Sequence, residues 1–225
     1  MTPFDFITPN WPAPNQVVAL TTTRQTGESL LPYHYFNVAL HVGDAEIAVT
    51  RNRQQLRSQL EGLKAISWLD QVHGTDIIDA SDSRSLNKAD ANYCDQLGIA
   101  CAVMTADCLP LLVCDRQGTE VAAIHAGWRG LLNGVIECSL ARFNASADNL
   151  MVWMGPAISQ QHFKVGAEVR AAFISASHIS RQASVSAAFL PHPQQANKYY
   201  ADLYGLAKLR LRALGVDHIY GGGFC

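Results

Sequence analysis

Short apolar runs bounded by turn residues recur along the chain and predict buried β-strands. They are rich in β-branched residues, and several stop abruptly at glycine or at a polar turn. The runs cover residues 17–23, 99–104, 109–113, 121–124 and 150–154. A polar kink, Thr105-Ala106-Asp107-Cys108, separates the second run from the third. An ordinary hydrophobic core would not need such a kink, which makes this segment a candidate for function.

Apolar residues at three- and four-residue spacing predict four helices. The first follows Asp44, which can cap it, and runs to about residue 60, with Gly62 just beyond its end. Glycine is favoured there because it adopts the left-handed conformation without strain. The other predicted helices cover residues 131–143, 168–175 and 200–214. Because strands and helices alternate irregularly, the pattern predicts a mixed α+β fold more than a strict βαβ repeat.

Composition assigns the whole chain to one folded unit. Of its 225 residues, 48% are hydrophobic and 16% are charged, and no repeat, low-complexity tract or linker-like stretch divides them. A chain of this length buries roughly two thirds of the surface that it exposes when unfolded. We therefore predict a single domain over residues 1–225.

The charge balance narrows the partners. The net charge is −2, and no run of five or more like charges occurs, which removes the general electrostatic reason to bind nucleic acid or an anionic membrane. No signal peptide and no stretch of about 18 apolar residues is present. We expect a cytoplasmic protein with a small-molecule partner, whose six cysteines remain thiols.

Three residues of metal-ligating type lie at the ends of predicted strands or in turns: His73, Cys108 and His125. They are too far apart for a zinc-finger knuckle, which needs paired ligands about two to five residues apart, so a site would be assembled from distant segments. Two imidazoles and a thiolate suit Zn²⁺ and leave a fourth position for water or substrate, and Cu²⁺ competes on affinity. Spacing alone leaves ordinary packing roles equally open. We expect the remaining cysteines, except Cys225, to be core residues.

Two charged residues near these candidates bear on the chemistry. Asp107 precedes Cys108 within an apolar stretch, and a carboxylate buried there needs a cation, hydrogen-bond donors or water beside it. Arg129 lies in the turn His125-Ala126-Gly127-Trp128-Arg129-Gly130 before a predicted helix. Its guanidinium and the free amides of a helix start suit an anion such as phosphate, although pairing with a local carboxylate explains it equally well.

At these residues the chain resembles the bacterial YfiH-like proteins, also called laccase-domain or polyphenol oxidase proteins and described as purine nucleoside phosphorylases. The resemblance covers nearly the whole chain. It is carried by residues 24–29, 36–44, 71–74, 89–91, 105–110, 125–130, 155–158 and 201–203. Matched residue by residue, the zinc ligands of the family fall on His73, Cys108 and His125. The resemblance therefore favours the metal site over the packing roles.

The resemblance also implies a fold and an activity. The implied fold is a mixed-sheet, four-layer α/β/β/α sandwich. The implied reaction is phosphorolysis of adenosine, inosine, guanosine or methylthioadenosine to the base and a ribose 1-phosphate, with adenosine deamination beside it. Purine nucleoside and phosphate are then the partners of a monomer or homodimer. Cys108, His125 and Arg129 are the expected catalytic residues, and Arg24, Asn37 and Asp44, together with Arg129, are expected to bind substrate.

The chain departs from the family pattern at two places. Tyr35-Phe36-Asn37-Val38-Ala39 stands where the family has a Ser-Leu-Asn-Leu-Gly run, which reshapes the expected pocket wall. The family pattern also continues past Cys225 with an aromatic and arginine-rich tail that this sequence lacks. Substrate contacts expected from that tail are therefore not assigned.

Three other functions stay open on the sequence. A copper-dependent polyphenol oxidase is one, although four-electron oxygen chemistry would need several coppers and the sequence offers one His-Cys-His set. A cysteine hydrolase is another, with Cys108 as nucleophile and His125 as its base. Family descriptions also suggest a non-catalytic role in quality control of cell-wall precursors.

Overall fold

The computed structural model describes residues 5–82 and 88–225, and a six-stranded mixed sheet forms its centre. The helices are α1 Glu46–Ser58, α2 Trp128–Asn133, α3 Val135–Leu140, α4 Ala167–Ser175, α5 Gln182–Ala187 and α6 Leu203–Ala213. The strands are β1 Phe6–Ile7, β2 Thr21–Thr22, β3 Ala65–Ser67, β4 Ile77–Asp79, β5 Ala91–Cys94, β6 Ile99–Cys101, β7 Leu109–Asp115, β8 Val121–Ala126, β9 Leu150–Met154, β10 Lys164–Gly166, β11 Phe189–Pro191, β12 Lys198–Ala201 and β13 His218–Gly221. Short 3₁₀ turns cover Leu40–Val42, Ala147–Asn149 and Ile179–Arg181.

The central sheet has the strand order β13-β9-β7-β8-β5-β4. Its four inner strands pair antiparallel, whereas the edge strands β13 and β4 pair parallel with their neighbours. Smaller ladders join β1 to β2 and β3 to β6, and β12 pairs with β10 on one side and β11 on the other. The β7–β8 hairpin places Pro110 opposite His125. The amino end of β7 and the carboxyl end of β8 therefore lie side by side.

The two faces of the central sheet are covered differently. Alternate side chains such as Leu111, Ile124 and Val152 point toward α2, α3 and α6 and form the main hydrophobic core with them. On the other face, Asn92 of β5 donates to the carbonyl of Ser67 in β3, and β6 also packs against β5. Helix α1 contacts the chain leading into β3. The mixed α+β sandwich predicted from the sequence is therefore confirmed.

Local patterning misplaced several element ends. The predicted helix 131–143 is divided into α2 and α3 because Gly134 takes a left-handed φ of 99°. Residue Tyr200, predicted to start a helix, instead pairs with strands on both sides in β12, and α6 begins at Leu203. Of the run 17–23, only Thr21–Thr22 is a strand. The cap position of α1 is Ala45, one residue after Asp44.

All six cysteines are thiols, as predicted. Cys94 and Cys114 are buried, and burial raises the pKa of the Cys114 thiol to about 12. Cys138 is exposed on α3, so the prediction that it belongs to the core is wrong. The helical pattern did not show which side of this short helix would face solvent. Among the described residues, no helix has the length and apolar character needed to cross a membrane.

Asn52 of α1 fixes the loop before that helix. Its side chain is fully buried, accepts from the amide of Glu28 and donates to the carbonyls of Tyr35 and Asn37. We expect Asn52→Ala to lower the free energy of unfolding by about 3 kcal/mol, because several buried polar partners lose their hydrogen bonds. Urea denaturation monitored by fluorescence measures the change. The exposed neighbour Arg51 is the control, and an Arg51→Ala effect equal to that of Asn52→Ala would contradict the assignment.

Glu120, directly before β8, makes stability depend on pH. Burial alone would raise the pKa of its carboxyl, but hydrogen bonds from the Asn144 amide, Tyr93 and the Ala145 amide outweigh burial and lower it. A lowered folded-state pKa means that the ionised group stabilises the fold above about pH 4.5 and that this contribution is lost as pH falls through the folded value. We expect Glu120→Gln to flatten the fall in unfolding free energy between about pH 5 and pH 2. Urea titrations across that range test this, and an unchanged slope would refute it.

Candidate metal centre

Strand register brings two of the candidate ligands together. Cys108 directly precedes β7 and His125 lies near the end of β8, where the hairpin pairs Leu109 with Ala126. His73 arrives from the loop between β3 and β4, with a left-handed φ of 61° that is rare outside glycine. A backbone in this region is strained, and such strain is commonly found at functional sites.

The ligand atoms of the three residues all lie within 4.8 Å of one another. Cys108 Sγ is 3.7 Å from His73 Nε2, and the imidazole rings of His73 and His125 are 4.8 Å apart at their centroids. Tetrahedral zinc with ordinary Zn–N and Zn–S bonds separates its ligand atoms by about 3.6 Å. The donor set and its spacing therefore fit a zinc ion after small side-chain shifts.

Gly127, immediately after β8, leaves the space that the cluster occupies. A β-carbon built there would lie 2.8 Å from His73 Cδ2 and 3.0 Å from Cys108 Sγ. Its φ of −62° is accessible to any residue, so side-chain space and not backbone conformation requires glycine. A neighbouring glycine is needed for a related reason, because a β-carbon at Gly130 would lie 2.8 Å from the carbonyl oxygen of Gly74.

Asp90 is the buried carboxylate of this region. Its side chain accepts from the backbone amides of Val72 at 3.2 Å, His73 at 2.8 Å and Gly74 at 2.6 Å. It also lies 2.8 Å from His125 Nδ1. Burial raises the pKa of Asp90, but the hydrogen bonds with His125 and with the amides of Gly74 and His73 outweigh burial and lower it.

The two histidines have opposite electrostatic surroundings. At His125, burial lowers the pKa, but hydrogen bonds with Asp90 and Cys108 outweigh burial and raise it to about 9. At His73, burial and then the charge of His125 lower the pKa more than Asp90 raises it. The surroundings of His125 thus favour its charged form, whereas a metal ligand must be the neutral imidazole.

The premise that Asp107 is buried is wrong. Asp107 is exposed, so its carboxylate has no burial cost, and its backbone carbonyl accepts from the amide of Ile158. The carboxylate that needed compensation is Asp90, which sequence reasoning did not select. The available signal was an acidic residue between Ala89 and Ala91, directly before a strand, within a segment that matched the family.

Arg129 lies beside the cluster on α2. Its guanidinium stacks over the Trp128 ring at 4.5 Å, and the residue is exposed. Its positive charge contributes, after burial and the charge of His125, to the lowered pKa of His73. The arrangement leaves a cation near the cluster, and its role in binding phosphate stays a prediction.

The other predicted substrate residues lie in the segments before α1. Asn37 donates to Asp44 at 2.9 Å, and the second oxygen of Asp44 accepts from the Ala45 amide at 2.7 Å. The side chain of Arg24 is exposed, and its carbonyl accepts from the amide of Tyr35. The structure thus joins Asn37 to Asp44, and substrate binding by these three residues stays a prediction.

The family of this chain is identified by comparison with known sequences. A sequence model described as "Multi-copper polyphenol oxidoreductase laccase" matches residues 18–225, so the chain belongs to this family. The resemblance to YfiH-like proteins is confirmed.

Relatives carry a different functional name. The chain is 48% identical over 220 residues to "Purine nucleoside phosphorylase PA4543" of Pseudomonas aeruginosa, covering 98% of this chain and 87% of that protein. It is 46% identical over 220 residues to "Purine nucleoside phosphorylase YfiH" of Escherichia coli, covering 97% and 87%. The crystal structure of Neisseria meningitidis protein NMB0706 matches with a TM-score of 0.90 and 43% identity, over 98% of this chain and 88% of that chain.

Proposed function

We propose that the protein is a zinc-dependent purine nucleoside phosphorylase of the cytoplasm that also deaminates adenosine. The observation that carries the proposal is the convergence of His73, Cys108 and His125 in a chain 48% identical to a protein named for this activity. The substrates proposed are adenosine, inosine, guanosine and methylthioadenosine, each with phosphate.

The residues of the cluster would hold the ion and set its surroundings. His73, Cys108 and His125 would supply two nitrogens and one sulfur, a donor set that zinc accepts with one position left for water or substrate. A bound zinc ion supplies a Lewis acid, which polarises substrate groups and activates water. Cys108 is half-exposed and His125 buried, so the cluster has a solvent side and a protein side.

Arg129 supplies the charge for the second substrate. In phosphorolysis a phosphate oxygen bonds to the sugar C1′ while the bond from C1′ to the purine nitrogen breaks, giving free base and ribose 1-phosphate. We propose that Arg129 holds the phosphate for this attack, because an exposed guanidinium binds phosphate oxygens in a bidentate way. Arg24, Asn37 and Asp44 are proposed to contact the nucleoside.

The test is a product assay on protein purified without chelator. Adenosine is incubated with and without phosphate, and adenine, inosine and hypoxanthine are separated by liquid chromatography. We expect adenine only when phosphate is present, inosine in either case, and about one zinc per chain by mass spectrometry. Metal-loaded protein that releases neither adenine nor inosine would overturn the proposal.

A copper oxidase is the second candidate, favoured by the printed description of the family. In residues 5–82 and 88–225, one group of three or more potential ligands lies close enough to hold an ion. Oxidation of phenols coupled to four-electron reduction of oxygen would need several coppers. Spin-resonance signals from multiple coppers, with phenol oxidation that depends on them, would support this candidate over the phosphorylase.

A metal-free cysteine hydrolase is distinguished by thiol labelling. Cys108 Sγ lies within hydrogen-bonding distance of His73, so it is a candidate nucleophile as well as a ligand. Exposed Cys225 competes for label because hydrogen bonds from Ser159 lower its pKa. The Cys225→Ser protein is therefore alkylated with and without zinc, and modified peptides are mapped by mass spectrometry. We expect zinc to protect Cys108, whereas labelling that ignores zinc would favour the hydrolase.

A further inference from the structure

We propose that Asp90 is a positioning residue that sets the placement of two metal ligands at once, His125 through its side chain and His73 through its backbone. The inference rests on the proposed metal centre and concerns how this chain builds that centre. Asp90 is fully buried and is not one of the three clustered residues, so it would act through the two histidines that it holds.

The side chain of His125 is oriented by Asp90. Its Nδ1 faces Asp90 Oδ1 at 2.8 Å, and both side chains are almost fully buried. A carboxylate accepts only, so Nδ1 must carry a hydrogen, and Nε2 is left as the nitrogen that can bind an ion. The same contact fixes the rotation of the ring. A carboxylate–histidine–metal chain of this kind commonly orients a ligand and raises its basicity.

The loop that carries His73 is held by the same carboxylate. The amides of Val72, His73 and Gly74 all converge on the Asp90 carboxylate, at distances from 2.6 to 3.2 Å. His73 takes a left-handed φ of 61°, a conformation that costs free energy in a residue other than glycine. Hydrogen bonds from three successive amides to one charged group offset this cost and hold the imidazole toward Cys108.

Asp90 is itself held in position. It is 0% exposed, and its own backbone is held at both polar groups. Its amide donates to the carbonyl of Asp76 at 3.0 Å, and its carbonyl accepts from the His125 amide at 2.7 Å. His73 and His125, which lie far apart in the sequence, are thus both positioned by one residue directly before β5.

Charge complements the geometry. With an ion bound, two neutral imidazoles, the Cys108 thiolate and the Asp90 carboxylate would together carry a charge of −2, which a divalent ion would balance. Without the ion, the buried carboxylate is compensated by His125 and by the three amides of the loop.

The test substitutes Asp90→Asn and measures Zn²⁺ affinity by competition with a chromophoric chelator. The asparagine amide turns an NH₂ group toward hydrogen-bond donors, so it cannot satisfy His125 and the loop together. We expect Zn²⁺ to bind about 10–100-fold more weakly, the range typical when a ligand's hydrogen-bond partner is lost. Glu120→Gln is the matched control, because Glu120 is also buried and held by several donors but lies at the opposite end of β8. We expect the Zn²⁺ affinity of Glu120→Gln to stay within threefold of that of the original protein.

A measurement on the unsubstituted protein decides the question if Asp90→Asn does not fold. Nitrogen-15 NMR of the zinc-loaded protein distinguishes the two ring nitrogens of His125. We expect a hydrogen on Nδ1 and the metal on Nε2, and the reverse assignment would overturn the proposal. Equal weakening by Asp90→Asn and Glu120→Gln, or no weakening by Asp90→Asn, would also overturn it while leaving the phosphorylase intact. An original protein that binds no Zn²⁺ would refute both.

Discussion

Cys108→Ala is expected to purify without zinc and to lose adenosine phosphorolysis by about a thousandfold. The substitution removes the only anionic ligand of the cluster and leaves two imidazoles, which hold a divalent ion much more weakly. Metal ions contribute several kcal/mol to the transition state, and about 1.4 kcal/mol corresponds to a factor of ten in rate. Metal content by mass spectrometry and adenine release under saturating phosphate measure the two effects.

The control for this experiment is another partly accessible thiol. Cys138 is exposed on α3, away from the cluster, and alanine is a good helix former. We expect Cys138→Ala to keep its zinc and its activity. If Cys108→Ala and Cys138→Ala behave alike, the thiol of Cys108 is not a ligand and the metal centre is wrongly assigned.

Gly127→Ala is expected to weaken zinc binding at least tenfold while leaving most of the stability in place. The added methyl group would overlap His73 and Cys108, at 2.8 Å and 3.0 Å before any shift. Relief requires one of these side chains to turn away, which separates the ligands. Overpacking of this kind costs about 1–3 kcal/mol of unfolding free energy, less than the total stability of an ordinary domain.

Chelator competition measures the affinity of Gly127→Ala, and urea denaturation measures its stability. Gly223→Ala is the control, because a β-carbon at Gly223 has no neighbour within 4 Å. If Gly127→Ala binds zinc as tightly as Gly223→Ala, then the space above Gly127 does not limit the cluster. A large loss of stability without loss of affinity would show that the methyl group disturbs packing elsewhere.

The three candidate ligands could be found from the sequence because their type and setting were unusual. His73, Cys108 and His125 are residues of ligating type next to glycines or polar kinks, and motif resemblance then separated them from the other histidines and cysteines. Their partner Asp90 could not be found in this way. A carboxylate is assigned a role by what it contacts, and its four donors come from two segments 16 to 35 residues away along the chain.

The bounds of strands and helices also depend partly on local sequence and partly on contacts between distant segments. The apolar runs at β7 and β9 follow from local composition, because a buried strand of the central sheet must be apolar on both faces. By contrast, helical spacing around Tyr200 favoured a helix, and pairing with β10 and β11 made it a strand. Pairing of this kind is long-range, and local propensity carries no information about it.

Three features follow from the order of residues alone: the class of fold, the hydrophobic strands and the residue types that can bind a metal. Each depends on the chemistry of a residue and of its near neighbours in the sequence. The folded chain was needed to see that Gly127 leaves space for the clustered side chains, that Asp107 is exposed and that the buried Asp90 holds both His73 and His125. Burial and hydrogen bonding are properties of the surroundings, and strands paired in register create those surroundings.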